Sequence, residues 1–210
     1  SDRYRYKFEH LQNFSDTHYL NTEWNFLSDP AFLEEFVKDE YRHQSQPENY
    51  GSWVYGNSFV GSEAFVSKQL NDFYDNVDRV EYSADLYRTK LGKSPFYFQS
   101  ENSIAHLERI YAETNTVDTA YDAVRMDSKN GIYLPYRYEF LNIVPRATYR
   151  ASYYSKSETG SEEVRLIPGA GMEVSFQATK VLSEQSRWYG TGLRHKIEPY
   201  ADYIYEDTSV

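Results

Sequence analysis

Glu163-Val164-Arg165-Leu166-Ile167-Pro168-Gly169-Ala170-Gly171-Met172-Glu173-Val174-Ser175-Phe176-Gln177-Ala178-Thr179-Lys180 is the stretch that decides the fold. Its even positions are apolar from Val164 to Ala178. Its odd positions carry Glu163, Arg165, Gly169, Gly171, Glu173, Ser175, Gln177 and Thr179, with Ile167 the exception. Successive side chains on a strand point to opposite faces, so this is a strand with one oily and one wet side. A globular strand has about five or six residues. A lipid-spanning strand needs roughly 9–11, apolar outward and polar inward.

The composition agrees with strands and interfaces. Of 210 residues, 22 are Tyr and 18% are aromatic. Tyr combines an apolar ring with a polar tip, which suits strands and membrane–water boundaries. The mean hydropathy is −0.77, and no run of about 18 apolar residues predicts a transmembrane helix. Alternating barrel strands also average to low hydropathy. The net charge of −10 argues against a nucleic-acid surface, because phosphate binding needs clustered Lys and Arg. There is no Cys, hence no disulfide or thiolate metal site. Ser1 to Phe8 is charged and alternating, without an apolar leader core, so a mature chain or an excised fragment is expected.

Alternating segments recur along the chain. Arg3–Phe14 and His18–Leu27 flank a turn at Asn13-Phe14-Ser15-Asp16. Asp29 as cap, Pro30 at the first helical position and Phe32, Leu33, Phe36 and Val37 at helical spacing predict one short helix near 30–41. Strands follow at Tyr50–Tyr55 and, after the Gly56-Asn57 hairpin, Ser58–Leu70. Arg79–Leu91 and Pro95–Tyr111 flank a turn at Gly92-Lys93-Ser94, and a parity change in the second predicts a bulge. A short strand at Tyr121–Asp127 is expected to end in a turn at Lys129-Asn130-Gly131, with a corner later near Asn142. The final strand is expected from Trp188 to Glu206. Ten or eleven up-and-down strands result, in a single domain over 1–210, without linker or fixed-period repeat.

A soluble sandwich would hide the apolar faces against a second sheet. A barrel hides them in lipid and turns the charged faces to a wet lumen. The sustained alternation favours an all-β, antiparallel up-and-down transmembrane β-barrel. The dense charge suits a wide interior, and so a section of a larger barrel. Arg165, Glu173, Arg194, Lys196, Glu198 and Asp202 are the candidate lumen-facing residues. Pro168 and Pro199 cannot donate to a ladder and are candidate weak-pairing positions. They read as bulges.

No catalytic constellation is present. Gly92-Lys93-Ser94 lacks the earlier glycine of a phosphate loop, that position being Tyr87. His10, His18, His43, His106 and His195 show no ligand spacing, and Asp72, Asp75 and Asp78 read as a solvated loop. No cofactor or metal is expected.

Four signatures resemble the lipopolysaccharide-assembly outer-membrane protein family, LptD. They are Trp24 to Phe36, the strand from Arg79, Ile143 to Arg150, and Leu193-Arg194-His195-Lys196-Ile197-Glu198-Pro199-Tyr200-Ala201-Asp202-Tyr203, the most specific. The strand from Arg79 lacks the family's proline. The resemblance spans nearly the whole chain in the family's order. It implies part of the C-terminal barrel, in the outer membrane of a Gram-negative bacterium, with final insertion of lipopolysaccharide into the outer leaflet as the function. It also implies a plug lipoprotein of the LptE type, a periplasmic bridge protein acting through a jellyroll domain, a lateral seam, of which Pro168 and Pro199 would by analogy be part, and no enzyme activity. The jellyroll and the barrel's end are expected to lie outside these residues. A porin-like outer-membrane channel and a soluble two-sheet β binding module are the alternatives.

Overall fold

The computed structural model describes residues 2–115, 118, 121–156, 160–182 and 193–207. The strands are β1 (Arg5–Ser15), β2 (His18–Leu27), β3 (Tyr50–Gly56), β4 (Val60–Ser67), β5 (Asn76–Lys90), β6 (Tyr97–Ile110) and β7 (Tyr121–Tyr133). They continue as β8 (Tyr136–Tyr138), β9 (Leu141–Tyr154), β10 (Glu163–Phe176), β11 (Ala178–Leu182), β12 (Leu193–Ile197) and β13 (Tyr200–Glu206). Helices α1 (Phe32–Phe36) and α2 (Lys38–His43) separate β2 from β3. Among the described residues, eleven strands form one antiparallel sheet ordered β1-β2-β3-β4-β5-β6-β7-β9-β10-β13, with β8 on β9. β11 and β12 pair as a separate ribbon. The fold is all-β and the order is up-and-down, as the alternating segments predict. Of the expected last strand, 188–192 lies outside the described residues.

The chain divides into two compact units, to both of which five strands contribute residues. One is Ser1–Tyr87, Ser100–Ser128 and Ala151–Arg165; the other is Arg88–Gln99, Lys129–Arg150 and Leu166–Val210.

In the first unit, register aligns like with like. Leu20, Trp53, Ala64 and Tyr82 stand side by side across β2 to β5. Val66 lies opposite Val80, and Phe8 opposite Trp24. The other face carries Glu9, Glu23, Tyr50, Ser67 and Arg79 in a similar row. In β6 Ser100 and Ala105 are buried, while the consecutive Glu101 and Asn102 are exposed.

Several local expectations are corrected. The helix near 30–41 is two short helices broken at Val37, where φ is −133° and ψ is 55°. Asp29 is not the cap: Ala31 is, without a side-chain capping bond. The Asp29 carboxylate instead accepts from the Ala31 N–H at 3.1 Å and from Arg3. Lys129-Asn130-Gly131 is not a turn, because β7 runs through it. The missing Cβ of Gly131 makes room for the Tyr133 ring, whose Cε2 lies 2.9 Å from where a Cβ would stand. Arg88 stacks over that ring at 3.7 Å. The corner expected near Asn142 falls at Glu139, whose φ is 52°, between Tyr138 and its partner Leu141.

The deciding stretch is also shorter than its alternation. β10 ends at Phe176 and β11 begins at Ala178, while the facing strand breaks at Glu198-Pro199. Register continues across the break, from Ser175↔Tyr200 to Ala178↔Ile197. The Phe176 N–H donates to the Pro199 carbonyl at 3.3 Å, and proline has no N–H to return. At the other end of the β10–β13 ladder the Asp207 N–H donates to the Pro168 carbonyl at 3.0 Å, again without return. The two prolines bracket the ladder that pairs Gly169–Ser175 with Tyr200–Glu206.

Gly171 lets β13 approach. A Cβ there would lie 2.6 Å from the Tyr203 carbonyl oxygen and 3.0 Å from Arg146 Nε. Gly171→Ala is therefore expected to lower folding stability by about 1–3 kcal/mol, the usual cost of overpacking. Gly51→Ala, whose nearest neighbour would be 3.5 Å away, is the control and should lose less. Urea unfolding followed by Trp fluorescence compares them.

Candidate functional site

Among the described residues polar side chains are buried beside Leu27 and Leu33, while many large apolar ones are exposed. The fully buried side chains include Asn25, and Ser52, Asn71, Ser100 and Ser152 are buried too. The exposed ones include Tyr6 at 69%, Val80 at 60%, Phe8 at 55% and Trp53 at 53%. In the first unit the register places these exposed residues on one face. Water-soluble monomers rarely expose apolar patches beyond a few hundred Å². Among the described residues no helix is long and apolar enough to cross a membrane, which leaves crossing by strands untouched.

The opposite face is polar and partly covered. α1 and α2 lie over Arg5, Lys7, Glu9 and Glu23. Arg3 donates to Asp29 at 2.6 Å and pairs with Glu35, and Arg5 pairs with Glu40 at 2.7 Å. The Arg3 bond holds the Asp29 carboxyl below the usual carboxylate range, and the Arg5 bond does the same for Glu40. A carboxylate with a lowered folded-state value stabilises the fold above its ordinary value near ~4. It loses that contribution as pH falls through the lowered value. Acidification from about pH 5 to pH 2 should therefore release α1–α2 before the sheet. Hydrogen exchange is expected to show helix amides accelerating beyond their intrinsic rates while β2 amides do not.

On the same face, Arg79 stacks 4.1 Å over the Phe65 ring and lies 3.4 Å from Glu81. Arg125 reaches the same carboxylate at 3.3 Å. Ser152 donates to Asp127 at 2.6 Å. Polar groups withdrawn from water need such hydrogen-bonded partners.

The six predicted polar residues are distributed as follows. In the second unit, Glu173 lies directly opposite Asp202, and Arg146 donates to both Asp202 oxygens at 2.8 and 2.9 Å. Lys196 pairs with Glu198 at 2.6 Å, and Arg194 stands opposite Val181 in the β11–β12 ribbon. In the first unit, Arg165 pairs with Glu163 at 2.5 Å and stacks over Tyr154. Glu173 and Asp202 are thus brought together; Arg194 and Lys196 belong to a different ribbon. Tyr200 and Ile204 share the face of Glu173 and Asp202, against the expected segregation.

Sequence reasoning missed Arg146, Arg79, Arg109 and Arg125 as site residues. Their signal was present only as alternation, which places Arg146 with Thr148 and Arg150 on a polar face. Arg79 meets Glu81 two residues along its own strand, whereas the partners of Arg125 and Arg146 lie on other strands.

An antiparallel up-and-down sheet whose strands expose large apolar side chains on one face defines a class, proteins whose strands suit a lipid boundary. The relatives narrow it. The chain is 24% identical over 211 aligned residues to the LPS-assembly protein LptD of Pseudoalteromonas atlantica, covering 97% of this chain and 26% of that protein. It is 20% identical to proteins of the same name from Neisseria meningitidis and Neisseria gonorrhoeae, covering 98% of this chain. The chain spans about a quarter of the length of these curated relatives, 26%. No protein-family profile matches. The similarity supports an LptD-related sequence over a partial region.

Proposed function

We propose that this chain is a section of an outer-membrane β-barrel that inserts lipopolysaccharide into the outer leaflet. The observation that carries the reading is the exposed apolar face, with Trp53 at 53% and Val80 at 60% exposure against buried Asn25 and Ser52. Lipid covers such a face at no cost, whereas water does not. Similarity to proteins named for LPS assembly supplies the substrate. On this reading 1–210 is one domain of a Gram-negative outer-membrane protein without enzyme activity. Arg165, Glu173, Arg194, Lys196, Glu198 and Asp202 line the lumen. A plug lipoprotein of the LptE type sits inside, and a periplasmic bridge protein delivers lipid through a jellyroll domain. Pro168 and Pro199, which each leave a ladder position with one bond instead of two, mark a weakly paired seam.

The test uses the full-length protein purified from outer membranes in detergent. Heat-modifiable gel migration, lipopolysaccharide copurifying with it, and reduced surface lipopolysaccharide on depletion are expected. Extraction into buffer without detergent would overturn the barrel. A heat-modifiable barrel whose depletion leaves surface lipopolysaccharide unchanged would instead indicate a porin-like channel.

A further inference from the structure

The strands of the second unit turn tightly at one end. There β5 and β6 are joined by 91–96, and β7 reaches β9 through 134–140. The connections that follow β6 and β9 at their other ends are longer, 111–120 and 155–162. Aromatic side chains gather at the tight-turn end, toward which β10 runs. Tyr136 and Tyr138 stand opposite Ile143 and Leu141 and are exposed. Phe140, exposed too, meets the Phe176 ring edge-on with 5.8 Å between centroids. Exposed aromatics at strand ends form the girdle of a lipid–water boundary. Two residues past Phe176, β11 and β12 leave the sheet as a ribbon that pairs with no other strand among the described residues. Its five residue pairs, Ala178↔Ile197 to Leu182↔Leu193, extend roughly 17 Å. The side chains of 178–181 and 194–197 are all exposed. Lys180 lies beside His195 on one face of the ribbon, and Arg194 and Lys196 share the other. Lys196 pairs with Glu198 at 2.6 Å, whereas Lys180 and Arg194 have no ion-pair partner among the described residues. In a chain of net charge −10, 177–199 carries four Lys or Arg against two carboxylates. A two-stranded ribbon alone is at best marginally stable in water, so a second surface is expected to hold it.

We propose that this ribbon lies against the membrane surface and binds anionic glycerophospholipid head groups, with Lys180 and Arg194 donating to their phosphates. Basic residues immediately outside a membrane span are attracted to anionic lipid. Val181 and Ile197, both exposed, give the ribbon apolar edges that gain by entering the interface. The aromatic girdle, which ends two residues before the ribbon begins, favours lipid over an acidic protein as the partner. This contact presupposes the barrel proposed above. In such a barrel the tight turns face the periplasm. The leaflet met there is the inner one, opposite the leaflet that receives lipopolysaccharide, so the ligand is a glycerophospholipid.

The full-length protein, purified in a neutral detergent, is equilibrated at low salt with mixed micelles holding phosphatidylglycerol and phosphatidylethanolamine in equal amounts. Native mass spectrometry counts the lipid retained. Preferential retention of phosphatidylglycerol is expected. Lys180→Gln combined with Arg194→Gln should lower that preference about fivefold for each cation removed, and high salt should lower it in the wild type. Lys180→Arg combined with Arg194→Lys keeps both charges and should keep the preference, which separates charge from folding. Arg42→Gln, on α2, should leave it unchanged. A wild type without the preference, or a double Gln variant that retains it, overturns the contact. Concentration-dependent dimerisation that the double Gln variant abolishes while the lipid preference stays would also overturn it and give the ribbon to a second copy of this chain. Heat-modifiable migration is read on the same preparations. A heat-modifiable protein without the preference loses this contact alone, whereas a protein soluble without detergent loses barrel and contact together.

Discussion

Val80→Arg is expected to destabilise the folded protein in lipid vesicles by about 2–4 kcal/mol, the cost of a cation on the lipid face of a barrel near the bilayer midplane. Val80 is 60% exposed. Its neighbour across β4 is Val66, itself 38% exposed. In a water-soluble protein so open a position accepts arginine within about ±0.5 kcal/mol. The two environments thus predict effects that differ by several-fold, and one variant separates them. Arginine has no acceptors in hydrocarbon, and its desolvation is offset only where the side chain can snorkel to the interface. Val80→Leu stays apolar and should change stability by less than about 1 kcal/mol. Urea unfolding of the full-length protein from vesicles, followed by Trp fluorescence, measures both. Equal midpoints for Val80→Arg and wild type would show that water, not lipid, covers β5.

What the sequence makes legible is what one strand can encode alone. Period-two alternation marks β2 at His18–Leu27 and places β1, β3, β5 and β10 within a few residues. Polarity also sorts their faces, because side-chain direction follows from backbone geometry. The failures share a cause: they depend on a second segment. Gly131 reads as a turn residue, yet β7 continues through it, and Arg88 from β5 stacks over the Tyr133 ring that occupies its empty Cβ position. Alternation from Glu163 to Lys180 reads as one strand, yet it breaks opposite Pro199, whose missing N–H matters only once Phe176 is its partner. Arg125 is an ordinary polar-face residue until strand pairing brings it to Glu81 of β5.

Asn71→Leu is expected to destabilise the first unit by about 2–5 kcal/mol, because it leaves two buried backbone groups unpaired at roughly 1–3 kcal/mol each. β2 is paired with β1 along its length, but with β3 only from His18 to Glu23. Beyond Glu23 its second edge would be bare. Side chains complete it: Asn49 Oδ1 accepts from the Asn25 N–H at 2.5 Å. Asn71 Oδ1 accepts from the Leu27 N–H at 2.8 Å, and Asn71 Nδ2 donates to the Asn25 carbonyl at 3.0 Å. The Asn71 amide thus does for Asn25 and Leu27 what a neighbouring peptide group would do. Asn71 is only 4% exposed and Leu27 2%, so water cannot replace the lost bonds. Leucine matches asparagine closely in length and would fill the space, which isolates the hydrogen bonds from packing. Asn71→Asp keeps the acceptor for Leu27 but turns a second lone pair toward the Asn25 carbonyl, so it should also destabilise, most strongly at neutral pH and less once protonated. Hydrogen exchange at the Leu27 amide, alongside urea unfolding, reads both effects. Unchanged protection at Leu27 in Asn71→Leu would show that this clasp does not hold the β2 edge.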